Sequence, residues 1–374
     1  MTSKRLLTAA VVVIGVAVFS VDAALGQDQA PNLPPVAPNA PPPSLQSPAD
    51  PGNAALIATC KTPPPARGGG AGRAGGRGAQ PAALPPGPRE YTITAIPGVI
   101  DAGQRWKFIW QEQGNNGDGI VGTDDGALLI AQNDKSSVLE LDPNGRTSTV
   151  YSDTHTGGSL SINKKGAVFI VQRGLRTSIS QLAPRRALLT NSYRGDPMDC
   201  MGGNPNDLSA HSNGGVYFTM GGVYYADPKG VVTRYGENIT PNGIILSGDE
   251  KILYVTNGPT LAAFDVQPDG SLTNQREFAR LEGGGNGDGL AIDAAGRIYV
   301  TTNPGVQVIG ADGKYLGIIP TPRPVISTAL GGKDKKTLYV LARGAKDASG
   351  AEVANAAQVY AIQLVAQGYR GRAK

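Results

Sequence analysis

The stretch Asp288-Gly-Leu-Ala-Ile-Asp-Ala-Ala-Gly-Arg-Ile-Tyr-Val300 decides the fold. A polar residue opens it, a short apolar run follows, and a glycine stands eight positions after the start, before a second apolar run. Val, Ile and Tyr bounded by Gly and Asp punctuation read as two short strands joined by a turn. The same phrase recurs on both sides. Asp118-Gly-Ile-Val-Gly-Thr-Asp-Asp-Gly-Ala-Leu-Leu-Ile and Asn206-Asp-Leu-Ser-Ala-His-Ser-Asn-Gly-Gly-Val-Tyr-Phe share the eight-residue offset, as does Gly158 with Gly166. Asn242-Gly-Ile-Ile-Leu-Ser-Gly-Asp-Glu-Lys-Ile-Leu-Tyr-Val and Ser327-Thr-Ala-Leu-Gly-Gly-Lys-Asp-Lys-Lys-Thr-Leu-Tyr-Val carry longer turns and both end on Leu-Tyr-Val.

The six copies start at 118, 158, 206, 242, 288 and 327, so they are 40, 48, 36, 46 and 39 residues apart. Each leaves room for one or two further strands, and no sustained helical period appears after residue 89. That is the period of a four-stranded propeller blade. The fold class is therefore all-β, a six-bladed β-propeller over residues 89–374. A β-sandwich would explain the strands and leave the spacing unexplained. Tyr91–Ile100 and Val359–Leu364 are expected to share one blade and close the ring. Trp106, Phe108 and Trp110 alternate and are expected in the core.

What precedes the repeats has a different composition. Lys4 and Arg5 stand before an apolar run from Leu6 to Val21, and small residues follow at Ala23, Ala24 and Gly26. This order is that of a secretory signal peptide over residues 1–26, and the run is short for a membrane span. A secreted or periplasmic protein with no stable membrane span after cleavage is expected. Residues 27–88 are Pro/Ala-rich and then Gly/Arg-rich, which reads as a disordered linker. One apolar island, Ala54 to Cys60, is placed to dock on the folded part. Of the net charge of +4, +3 lies within residues 1–88, which leaves no electrostatic footprint for nucleic acid on the repeats. Two His and two Cys rule out a His-rich or Cys₄ zinc site. Export favours a Cys60–Cys200 bridge, with two independent thiols as the alternative.

Propeller geometry turns the repeat into a site. The first strand of each blade lines the central channel, so residues at one register of six copies converge on the axis. That register reads Asp118, Gly158, Asn206, Asn242, Asp288 and Ser327. Asp and Asn also favour turns. Two carboxylates and two amide oxygens in one funnel are nevertheless a hard-oxygen set. It suits one divalent ion: Ca²⁺ first, with Mg²⁺, Mn²⁺ or Zn²⁺ as alternatives.

Asn204-Pro-Asn-Asp-Leu, Thr240-Pro-Asn-Gly-Ile, Gly287-Asp-Gly-Leu-Ala-Ile-Asp and Pro304-Gly-Val-Gln-Val-Ile-Gly-Ala-Asp-Gly-Lys resemble the SMP-30/gluconolactonase/LRE-like family of six-bladed propellers. The likeness runs over roughly residues 112–365. It implies a metal held by Asp118, Asn242 and Asp288, with Asn206 contacting substrate beside it. Asp118 replaces a family Glu, so Glu112 and Asn116 are alternative ligands. The resemblance also implies an Arg two residues before Asn206, where this chain has Asn204.

The expected activity is that of a metal-dependent hydrolase opening a small-molecule lactone or similar cyclic ester. Asp288 would take a proton from the attacking water and Asn206 would orient the substrate. The competing reading is a non-catalytic propeller that binds a ligand or protein at the same mouth. Ser159 and Ser327 lack the Gly-x-Ser-x-Gly elbow of serine hydrolases, and no dinucleotide or P-loop signature is present. His155 is expected on an exposed loop, and His211 is expected to be structural.

Overall fold

The computed structural model describes residues 51–62, 87–173, 176–283 and 285–374. The proposed signal segment 1–26 and most of the 27–88 linker lie outside these residues. Six four-stranded antiparallel sheets surround one axis. The first five blades follow chain order, with inner strands Gly117–Gly122, Leu160–Ile162, Leu208–Ala210, Pro241–Leu246 and Leu290–Ile292. The sixth runs from Val325–Gly331 through Thr337–Lys346 and Glu352–Gln363 to Lys107–Gln113. Inner strands are buried, and outer strands such as Thr147–Tyr151 face solvent.

The eight-residue offset has a backbone cause. Gly126, Gly166, Gly214 and Gly296 have φ of +97°, +77°, +96° and +78°, which glycine adopts without a Cβ penalty. In the two longer copies the same register falls on Glu250 and Lys335, also left-handed at +63° and +57°. Both are buried. The Lys335 ammonium donates to the Gly122 and Thr123 carbonyls at 2.9 and 3.0 Å, and Ser212 donates to Glu250 at 2.5 Å. These bonds hold non-glycine residues in a conformation that side chains disfavour.

The ring closes differently from expectation. Lys107–Gln113, not Tyr91–Ile100, pairs with Glu352–Gln363, from Lys107 opposite Ala361 to Gln113 opposite Ala356. Pro97 and left-handed Gly98 break the earlier segment, which forms an Ile96–Ile100 bridge. It then packs Ile93, Ile96, Val99 and Ile100 between the fifth and sixth blades. Phe108 is also corrected: it is 52% exposed, because this edge strand shifts register between Phe108 and Trp110. Trp106 is core, with Nε1 donating to the Pro320 carbonyl at 2.7 Å.

The apolar island contributes to the short helix Pro51–Ile57. Cys60 then bonds Cys200 in the 3₁₀ turn Met198–Met201, with the two Cα atoms 5.7 Å apart. The Lys61 amide donates to Asp196 at 2.9 Å beside it. Labelling of unfolded, unreduced protein is expected to find no free thiol. Two labelled thiols per chain would contradict the bridge. Among the described residues no helix is long and apolar enough to cross a membrane.

Candidate functional site

Asp118 and Asn242 sit where their inner strands lose register with the second strand. In the first blade the ladder breaks between Gly117 and Ile120, and in the fourth between Pro241 and Ile244. Such irregularities re-aim side chains at sheet ends. The glycine after each of Asp118, Asn242 and Asp288 has a packing role. A Cβ on Gly119 would lie 2.6 Å from the Ser159 Cα, and one on Gly289 2.9 Å from the Ser327 Cα. A Cβ on Gly243 would overlap the Asp288 carbonyl oxygen. Gly119, Gly243 and Gly289 have no left-handed φ, so they are close-approach residues and not turn residues. Threonines add links between blades. Thr219 Oγ1 donates to the Asn242 carbonyl at 2.6 Å, and Thr301 Oγ1 to the Ile326 carbonyl at 3.2 Å.

At this end of the channel Asp118, Asn206 and Asn242 are linked, and the Asp288 backbone lies against Gly243, next to Asn242. Asn206 Nδ2 donates to Asn242 Oδ1. Asp118 and Asn206 are joined by Arg173, whose Nη1 bonds the Asp118 carboxylate. Its Nη2 bonds the Asn206 carbonyl at 2.6 Å and Asn206 Oδ1 at 3.1 Å, while Nε bonds the Pro205 carbonyl at 2.8 Å. Gly158 is part of this seat, because a Cβ there would overlap the guanidinium. Ser327 Oγ accepts the Ile120 amide at 3.3 Å. The alternative first-blade ligands are engaged elsewhere: Glu112 with Lys135 and Gln132, and Asn116 with Asp134 at 2.9 Å.

Burial pushes the Asp288 carboxyl up to about 7, and the negative charge of Asp118 adds to the rise. Asp207 acts in the same direction, while Arg343 and Lys374 oppose it. No hydrogen bond reaches this carboxyl among the described residues. The folded-state value exceeds the ordinary 3.8, so the folded chain keeps a proton that the unfolded chain releases. Chelator-treated protein is therefore expected to lose thermal stability as pH rises from about 4 towards about 7, an effect that excess Ca²⁺ should offset. Melting temperatures across that range, with and without Ca²⁺, check both statements.

No group of three or more His, Cys, Asp or Glu suited to a metal occurs among the described residues. The mouth offers two carboxylates and two amides instead. The donor set fits a hard divalent cation, since burial and the neighbouring Asp118 charge both disfavour the Asp288 anion and a cation would offset them. Asp118 can join such a site only by exchanging Arg173 for the ion.

Two neighbours were not assigned from the sequence. Arg173 lies in a loop whose letters match no motif, and Asp207 follows Asn206 in the Asn204-Pro-Asn-Asp-Leu stretch. Asp207 is buried and bonds Ser159, Lys374 and the Leu208 and Ile244 amides. His155 is half-buried, not fully exposed as expected; burial lowers its pKa, and its carbonyl accepts the Arg173 amide at 3.0 Å. His211 lies at the opposite end of the channel, with Nε2 3.7 Å from Glu250.

The fold and mouth define a class: six-bladed propellers with a hard-oxygen donor set on the axis. The family model for the SMP-30/gluconolactonase/LRE-like region matches residues 153–343, and the chain belongs to that family. It is 24% identical over 216 residues to a gluconolactonase of Zymomonas mobilis, covering 49% of this chain and 60% of the relative. It is 27% identical over 188 residues to a lactonase of Staphylococcus epidermidis, covering 45% and 53%. The chain thus spans between half and three-fifths of these relatives' length. A solved gluconolactonase of Xanthomonas campestris aligns with a TM-score of 0.59 and 22% identity, over 77% of this chain and 99% of that one. A calcium-binding regucalcin of Agrobacterium tumefaciens aligns at 0.57 and 18%, over 72% and 96%. These two support the fold.

Proposed function

We propose that the chain is a divalent-cation-dependent hydrolase that opens a lactone or similar cyclic ester at the channel mouth. The observation that carries this is the Asp288 carboxyl, raised towards neutrality by burial and by the charge of Asp118, at the channel register where Asn206 donates to Asn242. The lactonase names among the relatives support the substrate class. Asp288, held as the carboxylate once a cation offsets what raises its pKa, would take a proton from the attacking water. Asn206, fixed by Arg173 and Asn242, orients the substrate carbonyl. Asp118, Asn242 and Asp288 would hold the ion, with Ca²⁺ the best match to these oxygen donors. Bound there, it would polarise the carbonyl and stabilise negative charge on its oxygen. An exported location also fits, because disulfides persist in oxidising compartments.

The test is a panel of sugar lactones and simple cyclic esters, assayed with Ca²⁺ and with chelator. Turnover that chelator abolishes supports the reading. Cation binding without turnover of any compound would favour the ligand-binding propeller, a reading that the Arg173 clamp on Asp118 and Asn206 also suits. A related expectation concerns Arg173→Gln. Removing a cation that occupies Asp118 should tighten Ca²⁺ binding about tenfold. Calorimetry reads this directly, and unchanged affinity would count against Asp118 as a ligand.

A further inference from the structure

Residues 365–374 cross the lower end of the channel and touch the blades around it. Gly368 bridges Asp293 in the fifth blade, and its amide donates to the Lys335 carbonyl of the sixth at 2.8 Å. The Gly371 amide donates to Asp124 in the first blade at 2.6 Å. Arg372 donates to the Ser247 and Leu246 carbonyls of the fourth at 2.6 and 2.8 Å. Ala373 bridges Ile162 in the second. The segment is thus a plug, and Lys374 follows it into the channel.

The Lys374 ammonium reaches the Asp207 carboxylate and lies 3.1 Å from Ser159 Oγ. The two charged side chains are 5% and 7% exposed. Among the described residues no other cation pairs with Asp207. The same carboxylate accepts the Leu208 amide at 2.9 Å and the Ile244 amide at 3.0 Å. Its own amide donates to Thr219 Oγ1, which in turn donates to the Asn242 carbonyl. Asp207 therefore ties the inner strands of the second, third and fourth blades together directly beneath Asn206 and Asn242. A carboxylate buried there without a partner would turn away from the groups it holds.

We propose that Lys374 is a positioning residue of the mouth: delivered up the channel by the plug, its ammonium fixes Asp207 and thereby the register of the Asn206 and Asn242 strands. The catalytic part of this statement rests on the hydrolase reading, and the structural part does not.

The test uses the full chain with Lys374→Met. Hydrogen exchange at the Leu208 and Ile244 amides should rise about tenfold or more, with the fifth-blade strand Ile298–Thr301 unchanged. Turnover of the best lactone should lose about tenfold in kcat/KM. If Lys374→Met does not fold, Asp207→Asn combined with Lys374→Met leaves no unpaired charge and should show the same local rise. Exchange at Leu208 and Ile244 equal to wild type, or raised equally in every blade, would overturn the proposal. So would a local rise without loss of turnover in an active protein. If wild type turns over nothing, the hydrolase reading fails and the exchange arm still decides whether Lys374 positions the mouth.

Discussion

Asp288→Ala is expected to abolish tight divalent-cation binding and to lower lactone turnover by at least about 10³-fold. Two separate losses combine in this substitution. Asp288 is one of two carboxylates at the channel register, so its removal leaves a bound cation half-neutralised. It is also the group proposed to take the proton from the attacking water. Asn206→Ala should behave differently. Asn206 is uncharged and its proposed task is orientation, so turnover should fall by roughly 10²–10³ while cation affinity stays within a few-fold of wild type. Calorimetric Ca²⁺ titration of both variants, beside a pH-indicator assay of lactone opening, separates the two roles. If Asp288→Ala binds Ca²⁺ like wild type, the metal site lies elsewhere. Equal loss of binding in both variants would mean that Asn206 is a ligand.

The parts of this site that were legible in the sequence are those fixed by local backbone chemistry. The eight-residue offset announced each inner hairpin because four of its six turn positions are glycines with positive φ. Once six starts were counted, the propeller followed, and with it the convergence of Asp118, Asn206, Asn242 and Asp288. Glu250 and Lys335 obscured the same register in two copies, because their left-handed backbone is held by distant hydrogen bonds instead of by residue type. The closing strand was misplaced for a related reason. Lys107–Gln113 is an edge strand with a register shift, and its weak alternation competes with the β-branched Tyr91–Ile100 run. Arg173 and Lys374 could not be read at all. Arg173 reaches Asp118 across 55 residues and Lys374 reaches Asp207 across 167, and no periodicity encodes either pairing. The one available signal was Asp207, an acidic residue followed by an apolar strand, since a carboxylate buried in a channel requires a cation.

Gly243→Ala should be among the more damaging single-methyl changes at the described residues. A Cβ there would overlap the Asp288 carbonyl oxygen and lie 3.0 Å from its carbonyl carbon, and both atoms are backbone. No side chain can rotate away, so the inner strands of the fourth and fifth blades must separate. Those strands are buried, with Ile244, Ile245 and Leu290 fully covered, so separation also loosens the core. Overpacking of this kind costs about 1–3 kcal/mol, and the backbone clash should place Gly243→Ala at or above the upper end. The substitution should also act on function. Asn242 precedes Gly243, and Asp288 carries the atom that is struck, so two proposed cation ligands move apart in one substitution. A displacement of about 1 Å at such a site is enough to lower turnover about 10²-fold. Gly145→Ala is the control, since its Cβ would meet nothing within 4 Å and its left-handed φ of +82° imposes only local strain. Denaturant melts and Ca²⁺ titrations of the two variants decide the matter. If Gly243→Ala retains wild-type Ca²⁺ affinity, the glycine after each mouth residue is not what sets the spacing between blades. A loss of affinity in folded Gly243→Ala, absent in Gly145→Ala, would show that the Asn-Gly and Asp-Gly pairs set the spacing between the proposed ligands as well as supplying them.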